Sequence, residues 1–205
     1  MKLYYSTGAC SFSPHVVMRE LGIPVELVRY DADTHTLENG ADYSAINPKM
    51  YVPALELEDG QVLTEGPAIV QYLADKKPEA GLAPPNGTLE RYRLQEMLGY
   101  INSEIHKAYS PLFHASTPAE TRADRASYLT KRYALLDKML EGKEYLLGDR
   151  FTVADAYLYT VTRWARAVKL DLSAFANVKA FMDRIGERPS VQAALAAERA
   201  GKKHV

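Results

Sequence analysis

The rhythm of apolar and polar positions changes near residue 80. Before it, short apolar runs lie between turn signals. After it, apolar residues recur every three or four positions. Lys2–Tyr5 predicts a strand. Ser13-Pro14 predicts a helix start, with Ser13 as N-cap and Pro14 at the first helical position. Val16, Val17 and Leu21 carry that helix to Gly22, and Pro24 follows. Val25–Tyr30 predicts a second strand, parallel to the first because a helix joins them. Ala54–Leu57 and Val62–Thr64 flank Glu58-Asp59-Gly60 and predict a hairpin. A helix from Pro67 to near Asp75 follows. The order β-α-β, connection, β-β-α predicts a mixed four-stranded sheet with helices on its faces, a thioredoxin-like domain over residues 1–78.

Lys77–Gly87 holds three prolines and two glycines and marks the boundary, with the linker placed at 79–87. Residues 88–205 predict an all-helical domain. Leu94, Leu98, Ile101, Ile105, Ala108 and Leu112 form one helical stripe. Thr117-Pro118-Ala119-Glu120 has capping-box spacing and opens a helix with the stripe Leu129, Tyr133, Leu136 and Leu140. Thr152-Val153-Ala154-Asp155 repeats that spacing before a helix that buries Ala156, Tyr157, Thr160, Val161 and Trp164. Phe175–Glu187 predicts the last helix.

Composition narrows the function classes. The 205 residues carry a net charge of -1 and no basic run interleaved with aromatics, so a nucleic-acid partner is not expected. Apolar residues reach 47%, but no stretch approaches the roughly 20 needed to span a membrane. No targeting segment is evident at the N-terminus. The single cysteine cannot form an internal disulfide, which predicts a reducing, cytoplasmic setting. The five histidines are scattered without cysteine partners, so no metal site is expected.

That cysteine, Cys10, falls in the turn between the first strand and helix, among Ser6, Thr7, Gly8, Ser11 and Ser13. Unpaired N–H groups at a helix start favour an anionic sulfur. Val52-Pro53 precedes a strand. A cis proline there presents Val52 as a free edge on which an extended thiol peptide pairs as an added strand. Glu65 at the next strand-to-helix turn offers a carboxylate to an ammonium, and the N–H groups at Gly66 suit a carboxylate. At 100° per residue, Gly99, Ser103, His106 and Lys107 share one face of the long helix, nearly opposite its core stripe. Gly99 there could permit close backbone approach.

"GACSFSPH", "NPKMYVPALELEDG", "LTEGPAIVQYLAD", "SEIHK" and "GDRFTVADAYLY" carry a resemblance over the whole chain. The chain resembles the glutathione S-transferases, and specifically the bacterial beta class. The resemblance implies that glutathione is the co-substrate and needs no metal. It implies docking at His35, Val52, Pro53, Glu65 and Gly66, and at Gly99, Ser103, Glu104, His106 and Lys107. Its sulfur then lies near Cys10, with Ser11 and His106 beside it as catalytic groups. The helical domain supplies the second-substrate pocket, from Tyr109, Phe113, His114 and Trp164, although these could equally be core. The resemblance also implies a homodimer acting on a small electrophile or disulfide. Met50, Gly66, His35 and Gly99 replace the Gly, Ser, Lys and Asn usual at those positions, which removes polar contacts to the tripeptide. Two other readings stay open: a non-catalytic binding protein of this fold, and a dedicated glutathione-dependent reductase or dehalogenase.

Overall fold

A computed structural model describes residues 1–200. They form two compact units. Met1–Ala80 makes one, together with the chain from Glu187 on; Gly81–Gly186 makes the other.

The first unit contains β1 (Lys2–Tyr5), α1 (Phe12–Glu20), β2 (Glu26–Asp31), β3 (Thr36–Leu37), β4 (Ala54–Glu56), β5 (Val62–Thr64) and α2 (Gly66–Lys76). Its sheet has the order β3-β2-β1-β4-β5, with β1 parallel to β2 and the other pairs antiparallel. This is the thioredoxin-like sheet that the sequence predicts. The expected four strands become five because β3 is two residues long, too short to leave an alternating pattern. Leu3 of central β1 is fully buried, as are Val16 and Val17 of α1 and Ile69 and Leu73 of α2. The C-terminal helix, Pro189–Ala200, packs on α1 within this unit, and no helix was expected there.

Ser13 is not the N-cap of α1. The helix begins at Phe12 with Ser11 as cap, and the Ser13 hydroxyl donates to the Cys10 carbonyl at 3.2 Å. First-turn N–H groups have no intrahelical partner, so proline is tolerated anywhere in that turn and marks the turn rather than its first residue. Cys10 therefore sits directly before the cap. Gly22, at φ 60, closes α1: the Ile23 N–H reaches the Met18 carbonyl at 2.9 Å.

The second unit holds α3 (Leu89–Tyr100), a π-helical stretch Ile101–His106, α4 (Lys107–Phe113), α5 (Ala119–Met139), α6 (Val153–Thr162), α7 (Trp164–Ala167) and α8 (Ala176–Gly186). The stripes Leu94–Leu112 and Leu129–Leu140 are buried along their lengths. The box expected at Thr117 does not form. Pro118 is the cap of α5, and the Thr117 hydroxyl donates instead to the Pro111 carbonyl at 2.6 Å. The box at Thr152 does form. Asp155 is fully buried and accepts from the Thr152 N–H, the Thr152 hydroxyl and the Leu146 N–H, each at 2.8 Å. Trp164 is not on that helix: α6 stops at Thr162, and Trp164 opens α7, half-buried.

Candidate active site

Three consecutive carbonyls are each held by a side chain from elsewhere in the first unit. The Tyr30 hydroxyl donates to Met50 at 2.8 Å. Tyr43 and the Asn47 amide donate to Tyr51 at 3.2 and 2.7 Å. The Cys10 thiol donates to Val52 at 3.2 Å. The Val52 side chain lies in a cluster with Tyr4, Tyr30, Leu37, Tyr43 and Ala54, so the backbone at 50–52 is fixed from below. Burial pushes the Tyr43 phenol up to about 12, so it remains a donor at neutral pH. The Val52-Pro53 bond is cis, as expected, and the ladder begins only at Ala54. A carbonyl has two lone pairs, so the thiol leaves Val52 able to accept from an added strand.

The Cys10 turn is clasped from both ends. Ser11, expected beside the reacting sulfur, is fully buried. Its hydroxyl accepts from the Ser6 N–H at 3.2 Å and lies 3.3 Å from the Ser6 carbonyl, so it closes the loop. Glu198 of the C-terminal helix, 2% exposed, accepts from the Gly8 N–H at 3.1 Å and lies 3.4 Å from His15 Nδ1. Arg19 Nε donates to His15 Nε2 at 3.2 Å, which places the imidazole proton on Nδ1, toward Glu198. Neither Glu198 nor His15 was a candidate. A glutamate in an alanine-rich segment reads as solvent-facing, and only the Val191–Ala194–Glu198 spacing marks it as inward.

Glu65 caps α2 with φ 70, a conformation costly for a side-chain-bearing residue and concentrated at functional sites. Its Oε1 accepts from Lys49 Nζ at 2.6 Å and from the Tyr51 hydroxyl at 2.9 Å. Gly66 has room for a side chain, its nearest neighbour being Pro53 Cγ at 3.9 Å from an ideal Cβ. His35, at φ 60, is exposed and has Nδ1 2.9 Å from the Tyr30 hydroxyl.

In the second unit, His106 leaves the face assigned to it. Gly99, Ser103 and Lys107 stay exposed, but the His106 ring turns inward, its Nδ1 2.6 Å from the Tyr157 hydroxyl. The wide turn of the π-helical stretch displaces side chains from a 100° projection, and such stretches recur at functional sites. Tyr157 passes its own proton to Asn102 Oδ1 at 2.9 Å. The His106 proton therefore sits on Nδ1, which leaves Nε2 as the acceptor nitrogen. Asn102 does not stand out in the sequence and Tyr157 reads only as core, because neither carries a reactive group. Glu104 also turns inward, to Tyr128 and to Arg132 Nη2 at 3.1 Å. A side chain at Gly99 would meet nothing within 4 Å in the chain.

Trp164 is the hub of an aromatic cluster, with ring centroids 4.9 Å from His106, 5.7 Å from Tyr109 and 5.5 Å from Phe113, all edge-on. Tyr109 is core: it is fully buried, and its hydroxyl lies 2.9 Å from that of Tyr133. Phe113 and His114 are exposed. Among the described residues no group of three or more His, Cys, Asp or Glu could hold a metal, and no helix is long and apolar enough to cross a membrane. His204 lies outside the described residues.

Comparison with known proteins identifies the family. Residues 8–76 match the family "Glutathione S-transferase, N-terminal domain", and residues 100–189 match "Glutathione S-transferase, C-terminal domain". Glutathione S-transferase GstA of Escherichia coli O157:H7 is 48% identical over 198 residues, covering 97% of this chain and 98% of that protein. BphK, a bacterial glutathione transferase solved as a ternary complex, superposes with a TM-score of 0.95 at 49% identity, over 97% of this chain and 99% of that one. A beta-class enzyme from Sphingomonas chungbukensis gives 0.94 at 46%, over 97% and 98%. A sphingomonad transferase complexed with glutathione gives 0.94 at 44%, over 97% and 98%.

Proposed function

The chain belongs to the glutathione S-transferase family of transferases, and on that footing we propose how it uses the thiol. Glutathione docks along the Val52 backbone with its γ-glutamyl head at Glu65, and its sulfur comes to Cys10. The observation that carries this reading is the Cys10 thiol, half-exposed at a helix start and donating to the Val52 carbonyl at 3.2 Å. Cofactor edge and reactive thiol are thereby one structure. His35 faces the glycine end. His106 offers Nε2 to the sulfur chemistry, and Phe113 and Trp164 offer apolar surface to a small electrophile. The enzyme works as a homodimer in a reducing, cytoplasmic setting, where a lone thiol stays reduced.

In conjugation, the glutathione thiolate bonds to an electrophilic carbon and the leaving group departs with the displaced electron pair. Ionisation contributes little by itself. A thiol with pKa about 8.5 is a few per cent ionised at pH 7. Lowering it by about two units gains roughly 25-fold in thiolate but loses roughly 6- to 10-fold in nucleophilicity. Holding both reactants together must supply most of the rate.

The second chemistry is exchange. The Cys10 thiolate attacks one sulfur of oxidised glutathione, the S–S bond breaks, and one reduced glutathione leaves with the proton that Cys10 gave up. Intact mass after incubation with oxidised glutathione tests this. One glutathione-sized adduct per chain is expected in the wild type and none in Cys10→Ser. An unmodified wild-type protein would leave Cys10 as a hydrogen-bond donor only.

A further inference from the structure

We propose that Lys49 is the second residue of the γ-glutamyl subsite: it recognises the α-carboxylate of an α-amino-acid head group while Glu65 holds the ammonium on the same carbon. The proposal rests on the docking just described.

The two side chains already form a matched acid–base couple. Lys49 Nζ lies 2.6 Å from Glu65 Oε1 and 3.0 Å from Thr64 Oγ1. The Tyr51 hydroxyl donates to the same Glu65 oxygen, and the Lys49 ammonium lies 5.9 Å from the Tyr51 ring centre. The main cause that raises the Lys49 ammonium above its ordinary range is its hydrogen bond to Glu65, so it stays charged at neutral pH. Both side chains are about half exposed, 45% for Lys49 and 50% for Glu65, so the pair is open to exchange with solutes. An exposed pair of this kind is held weakly.

An α-amino-acid head carries its two charges one bond either side of a single carbon. When its ammonium settles on Glu65, its carboxylate lies within reach of the cation beside that residue. Lys49 has a flexible stem and three donors, so it moves from one carboxylate to the other without a change in backbone. Net charge at the subsite is conserved: one ion pair becomes two. The first N–H groups of α2 add to the same carboxylate, where Gly66 supplies no hydroxyl. The subsite therefore selects thiols with a complete α-amino-acid head over simple amines.

Calorimetric titration of wild type, Lys49→Met and Glu65→Gln tests the assignment with three S-methylated tripeptides. These are S-methylglutathione, its γ-aminobutyryl analogue, which lacks the α-carboxylate, and its glutaryl analogue, which lacks the ammonium. Lys49→Met is expected to weaken S-methylglutathione about tenfold, as for a charged hydrogen bond at a partly exposed site. It should leave the γ-aminobutyryl analogue at its wild-type affinity. Glu65→Gln should weaken S-methylglutathione but not the glutaryl analogue. Equal or tighter binding of S-methylglutathione by Lys49→Met, or the same loss with the γ-aminobutyryl analogue, overturns the role of Lys49 alone. No loss in Glu65→Gln, or no binding by wild type, overturns the docking as well.

Discussion

Replacing Asp155 by alanine is expected to cost about 4 kcal/mol and lower the thermal midpoint by roughly 10 °C or more. Asp155 is buried and takes three donors, two from Thr152 and one from Leu146. Alanine leaves all three without an acceptor, and each stranded buried donor costs about 1–3 kcal/mol. The start of α6 and the Leu146 loop should loosen together. Asp155→Asn keeps one acceptor oxygen and should lose about half as much. The pH dependence has a definite sign. Burial pushes the Asp155 carboxyl up to about 6, although its N–H and O–H donors pull it down. The native state then binds a proton between pH 6 and 4 that the unfolded chain does not. This contribution is full below the ordinary aspartate range and is lost as pH rises through about 6. The stability gap between wild type and Asp155→Asn should therefore widen as pH falls from 7 toward 4. Thermal melts at both pH values check magnitude and sign.

Glu198→Ala should be nearly as severe and should also reach the thiol. It removes the acceptor of the Gly8 N–H and the partner of His15 Nδ1, both in the first unit. Loss of the acceptor facing the buried His15, together with that of the half-buried Gly8 N–H, predicts a cost of about 2–3 kcal/mol. Gly8 lies two residues before Cys10, so the turn that aims the sulfur loses its support from the C-terminal helix. Cys10 is the sole cysteine, so a colorimetric disulfide reagent reads that turn directly. A lower melting temperature with an altered rate of Cys10 modification is expected. Glu198→Gln should be milder, because its carbonyl still accepts from Gly8. Its amide N–H, however, forces His15 to change tautomer against Arg19. An unchanged melt for Glu198→Ala would mean that packing of the C-terminal helix, not this network, holds the turn.

Most of the framework was legible because it rests on periodicity and punctuation. The stripe Leu94–Leu112 named a helix core, Glu58-Asp59-Gly60 named a hairpin, and Thr152 with Asp155 named a cap that forms. Three features were not legible, each for a local reason. The π-helical stretch has no sequence period of its own, so a uniform projection put His106 on an outward face when it turns in to Tyr157. The C-terminal helix was missed because Phe175–Glu187 reads as the last helix, and the alanine-rich segment after it gives a weak stripe. Thr117 matched a box by spacing, but spacing cannot show that its hydroxyl prefers the Pro111 carbonyl. At the site, Cys10, Val52 and Glu65 stood out through chemistry and position. Glu198 and Tyr157 act through other groups, and Lys49 is marked only by its contact with Glu65, so each depends on a partner that periodicity does not point to.

A crystal structure with glutathione bound tests the central claim most directly. The account predicts that the cysteinyl N–H of the tripeptide donates to the Val52 carbonyl, with its sulfur in contact with Cys10 Sγ and its ammonium on Glu65. A tripeptide seated elsewhere, with the backbone at Val52 bare and the Cys10 thiol undisturbed, would contradict it.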